Sequence, residues 1–249
     1  MEQDLSPIFK RWIFDPRKTC ARKIVGIDGR EKLQVRFELG LLQMEMTGRP
    51  DGKSPKGYGS ALDAYLDRLE AHRRQHGSDE GFRLDEQACN VLWTEGVQFY
   101  QRYVCLMHLG DYEGVLRDTT HNLALLDLVR TFGGDEEIKC EFERSRTCVL
   151  MVHTRSKGEI CLQNGNSEGA LEVVREGIEE IRSFLIGSGE PDSLESSDEL
   201  RTLEDWEEEI RREYPAPDRK DLLAQIQTAV ARERYEQAAI LRNRLRGLN

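Results

Sequence analysis

The side chains that could do chemistry in this chain are five histidines, six cysteines and several runs of carboxylates. His72 and His76 are four residues apart, so a helix would place both imidazoles on one face, a spacing that suits a metal ion. Arg73 and Arg74 lie between the two histidines, and an exposed, arginine-flanked pair of this kind is ordinarily solvated. Cys148, His153 and Cys161 are also potential zinc ligands, but their spacing matches no common zinc pattern. We therefore expect no metal site and no cofactor.

The sequence also lacks several common catalytic motifs. It contains no Gly-x-x-x-x-Gly-Lys phosphate loop, no Gly-x-Gly-x-x-Gly and no His-Glu-x-x-His. We therefore expect that the protein is not an enzyme. The alternative is a small enzyme whose site lies at the N-terminal hairpin and at the glycine-rich, cationic loop of residues 48–59. A pocket there with converging carboxylates or histidines would favour this alternative.

The last thirty or so residues carry two apolar stripes on either side of the polar break Arg232-Glu233-Arg234. Spacings of three and four put each stripe on one helix face, which predicts an antiparallel helical hairpin. Such a hairpin covers only one side of each helix, so apolar surface remains for a partner helix or for a second copy of the chain in a homodimer. Packing of the hairpin on its own domain is the alternative. The stripes are Leu222, Ile226, Ala229 and Val230, then Tyr235, Ala238, Ala239, Leu241, Leu245 and Leu248.

This pattern resembles the UVR motif, the C-terminal module of the bacterial excision-repair proteins UvrB and UvrC, which recurs in protein-quality-control proteins. The likeness rests on Tyr235-Glu236, Ala238-Ala239 and Leu241-Arg242, while Asn243 stands where the family usually has Asp. The resemblance implies a bacterial, non-catalytic adaptor or scaffold that docks a partner protein, in excision repair or in protein quality control. The expected partner-binding residues are Tyr235, Ala238, Ala239, Leu241, Arg242, Leu245 and Leu248.

Upstream, residues 1–59 form the first predicted segment, which contains a β-hairpin over residues 21–46. Leu33, Val35, Phe37, Leu39 and Leu41 alternate with polar or small residues, as in a strand with one buried face. The alternation then slips by one residue, which predicts a bulge or bend near residue 40. A helix over 31–46 is the competing interpretation. Residues 48–59 are predicted to form a loop.

A helical array is predicted over residues 60–187. Ser60 is the expected N-cap of its first helix, a helix over 84–109 is expected at the centre of the core, and one long helix is expected over 135–163. In the helix over 84–109, the predicted buried stripe includes Val91, Val97, Tyr100 and Val104. Two turns, Gly110-Asp-Tyr-Glu-Gly-Val-Leu and Gly165-Asn-Ser-Glu-Gly-Ala-Leu, are similar to the inter-helix turn of tetratricopeptide repeats, although they lie 55 residues apart. The predicted fold is mainly α: a tetratricopeptide-like helical-hairpin array with a small N-terminal β-hairpin and a C-terminal UVR-like hairpin.

Charge is distributed unevenly between the body and the C-terminus. The chain has a net charge of −10, and residues 215–249 carry seven basic and four acidic side chains, which leaves −13 on residues 1–214. An acidic body repels phosphate, so no direct binding of nucleic acid is expected. No apolar run is long enough to cross a membrane and the N-terminus does not read as a secretory signal, so a cytoplasmic protein without membrane contact is expected. Residues 188–217 are predicted to form an acidic linker and an arm helix, before the hairpin of residues 218–249. The linker is expected to be mobile.

Overall fold

The computed structural model describes residues 4–187, 192–215 and 219–247, and helices make up most of them, so the mainly α prediction is confirmed. The chain divides into two compact units, residues 1–204 and 205–249, and each is described by itself. The strands are β1 (Cys20–Val25), β2 (Glu31–Arg36) and β3 (Leu41–Glu45). The helices are α1 (Ser6–Arg11), α2 (Ala61–His76), α3 (Glu86–His108), α4 (Tyr112–Phe132), α5 (Glu136–Glu143), α6 (Arg146–Gln163), α7 (Ser167–Gly187), α8 (Asp192–Ser196), α9 (Asp198–Glu213), α10 (Arg219–Ala231) and α11 (Tyr235–Gly247).

The three strands form an antiparallel sheet in the order β1-β2-β3. The predicted β-hairpin is present as β1 and β2, with Ala21 opposite Val35, and β3 extends it, with Met44 opposite Leu33. Of the bulge or bend predicted near residue 40, the structure has the bend and not the bulge, because the chain turns back there: the Phe37 N–H donates to the Gly40 carbonyl at 2.9 Å. The slip in the alternation is therefore a chain reversal. The competing helix over 31–46 is also wrong.

The two faces of β2 are covered by different parts of the body. Leu33 and Val35 are buried in a cluster that includes Tyr103 and Leu106 of α3. On the other face the chain around α1 lies over the sheet through cation–π contacts, because the Arg36 guanidinium is 3.9 Å from the Phe9 ring centroid and Arg22 packs similarly on Trp12. The strand is thus buried on both sides although only one side is apolar.

The helices begin where capping residues predict, but one of them is shorter than expected. The Ser60 hydroxyl accepts the Asp63 N–H at 3.0 Å, as the predicted N-cap of α2 should. The single long helix predicted over 135–163 is wrong, since α5 ends before Ser145 and α6 begins after it. The N–H and the hydroxyl of Ser145 both donate to the Phe142 carbonyl, at 3.2 and 2.9 Å, and this local pairing breaks the helical ladder.

Helix α3 contributes residues to two apolar clusters of the first unit, but its buried stripe is narrower than predicted. It packs antiparallel to α4, which in turn packs against α6, and α6 against α7. Its apolar stripe is buried along Ala88, Leu92, Phe99 and Tyr103. The expectation that the stripe extends to Val91, Val97 and Tyr100 is wrong, because these three side chains are exposed.

The two turns that resembled each other in sequence have the same geometry. After α3, Gly110 adopts φ 69°, its N–H donates to the Met107 carbonyl, and the next N–H reaches back to Leu106. After α6, Gly165 adopts φ 71° with the corresponding bonds to Leu162 and Cys161. Both are Schellman caps, which need a left-handed residue and therefore favour glycine. A tetratricopeptide-like arrangement of the whole array stays a prediction.

None of the described helices combines the length and the apolar composition that a membrane-spanning segment requires.

Candidate partner-binding site

The C-terminal hairpin consists of α10 and α11, joined by a three-residue turn. Arg232 is the first residue after α10, and Glu233 follows in the left-handed region at φ 58°. The Glu233 N–H donates to the Val230 carbonyl at 3.0 Å, and the Arg234 N–H donates to the Ala229 carbonyl at 2.9 Å. This is a third Schellman cap, in which glutamate occupies the position that glycine fills in the first unit.

The two helices share a small apolar core. Ala229 and Ala238 are both buried, and their small side chains let the helix backbones approach closely near the turn. Leu241 is buried in the same core and Leu245 is half-buried against it. Three of the seven predicted partner-binding residues, Ala238, Leu241 and Leu245, therefore pack in the core between α10 and α11. The core residues of α10 are Leu222, Ile226 and Ala229.

The other predicted residues lie on the outside. Tyr235 is 65% exposed, and Ala239 and Arg242 are also exposed. Because these three residues are four and three positions apart, they share one face of α11. Leu248 lies outside the described residues. The predicted site is thus divided into an inner set that builds the hairpin and an outer set that is accessible to a partner.

Other exposed apolar side chains of the hairpin do not belong to the predicted partner-binding set. Ile240 is 57% exposed on α11, and Leu223 and Val230 are exposed on α10, seven residues apart and so on one face. Val230 had been assigned to the inner stripe, which is wrong. The available signal was the doubling of apolar residues, Leu222-Leu223 and Ile240-Leu241: one face of each helix can be buried by the hairpin, and the neighbouring apolar residue must then point elsewhere.

A buried carboxylate in the body bears on the alternative of an enzyme at the loop of residues 48–59. Glu95 of α3 accepts the N–H groups of Ala61 and Leu62, at 2.6 and 2.9 Å, and so caps the start of α2. It also pairs with Arg49 at 3.1 Å and with His121 at 3.2 Å. Burial acts to raise the pKa of Glu95, but the bonds from His121, Ala61 and Leu62 outweigh it and hold that pKa below its usual value.

A second buried charge fixes the start of the same loop. Arg102 of α3 donates to both oxygens of Asp118 on α4, at 2.7 and 2.8 Å, and neither side chain is exposed. Its remaining nitrogen donates to the carbonyls of Glu45 and Gly48, at 2.9 and 2.8 Å. The loop is therefore braced against α3 at its first residues.

The cleft beside this loop has a volume of about 570 Å³. Its lining includes two carboxylates, Glu31 and Glu45, and no histidine. Glu45 forms an ion pair with Lys32, and Arg49 forms a bidentate pair with Asp51. The converging carboxylates or histidines that would favour a catalytic site are not found among the residues that line it.

The histidines and cysteines singled out above are placed separately. The rings of His72 and His76 are 4.4 Å apart, and His72 Nε2 lies 2.8 Å from the Glu80 carbonyl. His153 is half-buried with its Nδ1 2.9 Å from the Thr119 hydroxyl, and burial lowers its pKa from 6.5 to about 4. All six cysteines are free thiols. Within the three described ranges, no group of three or more His, Cys, Asp or Glu side chains is arranged to hold a metal ion.

No curated protein and no solved structure matches the chain. One protein-family model does match it, over residues 219–249, a stretch that begins with α10 and contains all of α11. The predicted resemblance is thereby confirmed: the C-terminal helical hairpin of this chain matches the UvrB/uvrC motif.

Proposed function

We propose that this protein is a non-catalytic adaptor that binds a partner protein through its C-terminal UvrB/uvrC hairpin. The observation that carries the proposal is that the hairpin leaves three large apolar side chains exposed: Tyr235, Ile240 and Leu223. Large apolar side chains in water cost free energy, and a partner helix packed on them would recover it. The match to the UvrB/uvrC motif supports this role, because the resemblance implies docking of a partner.

The proposed partner is a protein rather than nucleic acid, in the setting of bacterial excision repair or protein quality control in the cytoplasm. The charge of the first 214 residues, −13, opposes approach to a phosphate backbone. The basic side chains of the hairpin, including Arg232, Arg234 and Arg242, instead suit an acidic protein surface around the apolar contact. A second copy of the chain is the alternative partner.

The test uses the exposed residues, because changing the buried ones would unfold the hairpin. We expect the double variant Tyr235→Glu/Ile240→Glu to lose the partner that the full-length wild-type chain captures from bacterial extract. Captured proteins are identified by mass spectrometry and the leading one is purified for titration. Binding should weaken by 100-fold or more, because two apolar contacts are each replaced by a charge that must be desolvated.

Gln227→Glu is the matched control, since it adds a charge at an exposed, polar position of α10. This variant should bind like the wild type, and circular dichroism should be unchanged in both variants. Equal binding by the wild type and the double variant would contradict the proposed surface. Sedimentation of the purified wild-type chain tests the alternative that the partner is a second copy. If the chain forms a homodimer through the hairpin, the double variant should raise the dissociation constant of that dimer.

The alternative of a small enzyme at the loop of residues 48–59 has no specific observation in its favour. Glu45, Arg49 and Glu95 are each paired with an opposite charge around that loop. The Arg49–Glu95 pair suits a brace between the loop and α3, and we assign it that role.

A further inference from the structure

The exposed face of α3 carries no charge over almost its whole length. From Gln87 to Met107, a stretch that the structure describes completely, the charged side chains are Glu95 and Arg102, and both are buried and paired inside the first unit. In a chain of which 33% of the residues are charged, an exposed helix face without charge is unusual. Depletion of charge is typical of the centre of a protein–protein interface.

The same face has apolar side chains that protrude and an apolar recess beside them. Trp93, Val97 and Tyr100 are exposed, and their spacing of four and three places them on one side of α3. These three side chains, with Phe142 and Val149, also form walls of a cleft of about 210 Å³. None of the described residues that line this cleft is charged. The face can therefore both insert apolar groups and receive them.

Gly96, on the wall of the cleft, allows another backbone to come close. A glycine within a helix is less stable than an alanine, so its presence in α3 calls for a reason. The first unit itself does not require it, because a Cβ atom at Gly96 would lie 3.7 Å from Leu125 Cδ1, an ordinary contact distance. Close approach of a second helix at this point explains the glycine.

We propose that this face binds the same face of a second copy of the chain, with the two α3 helices antiparallel and Val97 beside the twofold axis. A twofold interface uses one patch twice, so that patch must contain both the protruding groups and the recess, as this one does. The net charge of −10 makes two copies repel each other, and contact at an uncharged face adds least to that repulsion. This inference does not depend on the adaptor role.

The charges at the ends of α3 select the antiparallel arrangement. Val97 is the middle residue of α3 (Glu86–His108). In an antiparallel pair centred on Val97, the uncharged stretch lies opposite itself, and Glu86 lies opposite His108 of the other copy. A parallel pair would instead bring Glu86 against Glu86. The rim contact of Glu86 with His108 is exposed to water and contributes little, but it avoids this meeting of like charges.

Sedimentation velocity of the full-length wild-type chain tests for the dimer. The uncharged stretch is about 30 Å long, which gives an interface at the small end of the specific range, and we expect a dissociation constant of about 10 µM. Added salt should tighten the dimer, because it screens the repulsion between the two acidic copies and the contact contains no buried ion pair. A chain that stays monomeric at about 100 µM would overturn the proposal.

A charge exchange at Val97 tests the position of the axis. Val97→Glu and Val97→Lys should each raise the dissociation constant by about 100-fold or more, because each places a charge against its own kind at the axis. An equimolar mixture of the two variants should form a heterodimer with a dissociation constant within about 10-fold of the wild-type value. Failure of the mixture to associate would overturn the proposed pairing.

Leu66→Glu is the matched control. Leu66 lies on α2 of the same unit and is 39% exposed against 38% for Val97, so the added charge has a similar setting away from the proposed contact. This variant should dimerise like the wild type. Circular dichroism should be unchanged in all three variants.

A measurement on the wild-type chain needs no substitution. In heteronuclear NMR spectra, the Trp93 indole N–H should shift as the protein concentration rises, following the fraction of dimer, while that of Trp12 beside the sheet should not. A Trp93 signal that does not depend on concentration would contradict the proposal even if the Val97 variants failed to fold. A dimer that persists in Val97→Glu and dissociates in Tyr235→Glu/Ile240→Glu would place the second copy on the hairpin and would also overturn the α3 contact.

Discussion

Single buried charges hold separate elements of the first unit together. Glu95 joins the start of α2 to the loop through Arg49, and Arg102 joins α3 to Asp118 of α4. Each of these charges is taken out of water, so its partners must be present for the fold to be stable. Neither pair could be predicted from the sequence. The partners are separated by 16 positions (Arg102 and Asp118) and by 46 positions (Arg49 and Glu95), and no helix or strand periodicity relates residues that far apart.

We expect Asp118→Asn to lower the free energy of unfolding by about 3–5 kcal/mol, because the Arg102 guanidinium would remain buried without a counter-charge. The measurement is denaturation by urea, read by circular dichroism. Asp79→Asn is the control, since Asp79 pairs with Arg73 on the exposed surface, where water and salt screen such pairs and they contribute little to stability. Similar losses in both variants would mean that the Arg102 pair is solvated.

His153 should make stability depend on pH between 7 and 5. Its pKa is about 4 in the folded protein against 6.5 in the unfolded chain, so the unfolded chain binds more protons in this interval. Stability is therefore complete above pH 6.5 and falls as the pH is lowered, by up to about 1.4 kcal/mol per pH unit. His153→Gln should flatten this dependence, whereas His108→Gln, at an exposed position, should keep it. Urea midpoints at pH 7.0, 6.0 and 5.0 decide between the two outcomes.

At the scale of elements, three turns between helices of this chain are Schellman caps. The first two were predicted from their glycines, Gly110 and Gly165. The third was not recognised as the same turn, because Glu233 occupies its left-handed position, and Glu233 is the only residue other than glycine with positive φ among those described. A side chain in this conformation is strained, so the hairpin forms in spite of its turn residue and owes its stability to the core that includes Ala238 and Leu241.

We expect Glu233→Gly to stabilise the hairpin by about 1 kcal/mol, because glycine adopts the left-handed conformation without strain. Amide hydrogen exchange in the full-length chain measures this locally, and the protected amides of α10 and α11 should exchange about 5-fold more slowly. Ala231→Gly provides the opposite control, since it places glycine at the last residue of a helix and should speed exchange. Faster exchange in Glu233→Gly would show that the turn has another geometry.

The local sequence pattern predicted the buried faces and the N-caps of helices. It did not predict where one helix ends or which of two adjacent apolar residues is exposed. Ser60 as an N-cap was sufficient to predict the start of α2, and the apolar spacing was sufficient to predict α3. Ser145 divides a stretch with continuous helical character, and only its bonds to Phe142 reveal the break. In the hairpin, the sequence marked the apolar positions, but which of them form the core depends on the rotation of α10 against α11. Pattern alone therefore placed Val230 inside and Leu241 in the docking surface.

At the scale of the whole molecule, the charge distribution leads to a prediction about nucleic acids. The isolated chain should not shift duplex DNA in a gel at physiological salt, since the −13 of residues 1–214 repels phosphate. A variant that lacks residues 215–249 should behave in the same way. A salt-sensitive shift at submicromolar concentration of the full-length chain would contradict this prediction.

The predicted division after residues 59, 187 and 217 stays a prediction. Residues 188–191 of the acidic linker and residues 216–218 at the second predicted joint lie outside the described residues, and residues 192–196 of the linker form α8. Limited proteolysis tests the division directly. We expect the first cut between residues 187 and 197, and an earlier cut within residues 21–46 would contradict it.

Arg102 donates hydrogen bonds to the backbone carbonyls of Glu45, at the end of β3, and of Gly48, and these bonds affect how the first unit unfolds. The sheet cannot separate from the helices without exposing this guanidinium to water or leaving it without hydrogen-bond partners. Partial unfolding therefore costs free energy, and we expect the first unit to unfold in one cooperative transition. Two native fluorophores report on its two sides: Trp12 beside the sheet and Trp93 on α3. In single-tryptophan versions of the chain, both should therefore lose their native emission at the same temperature.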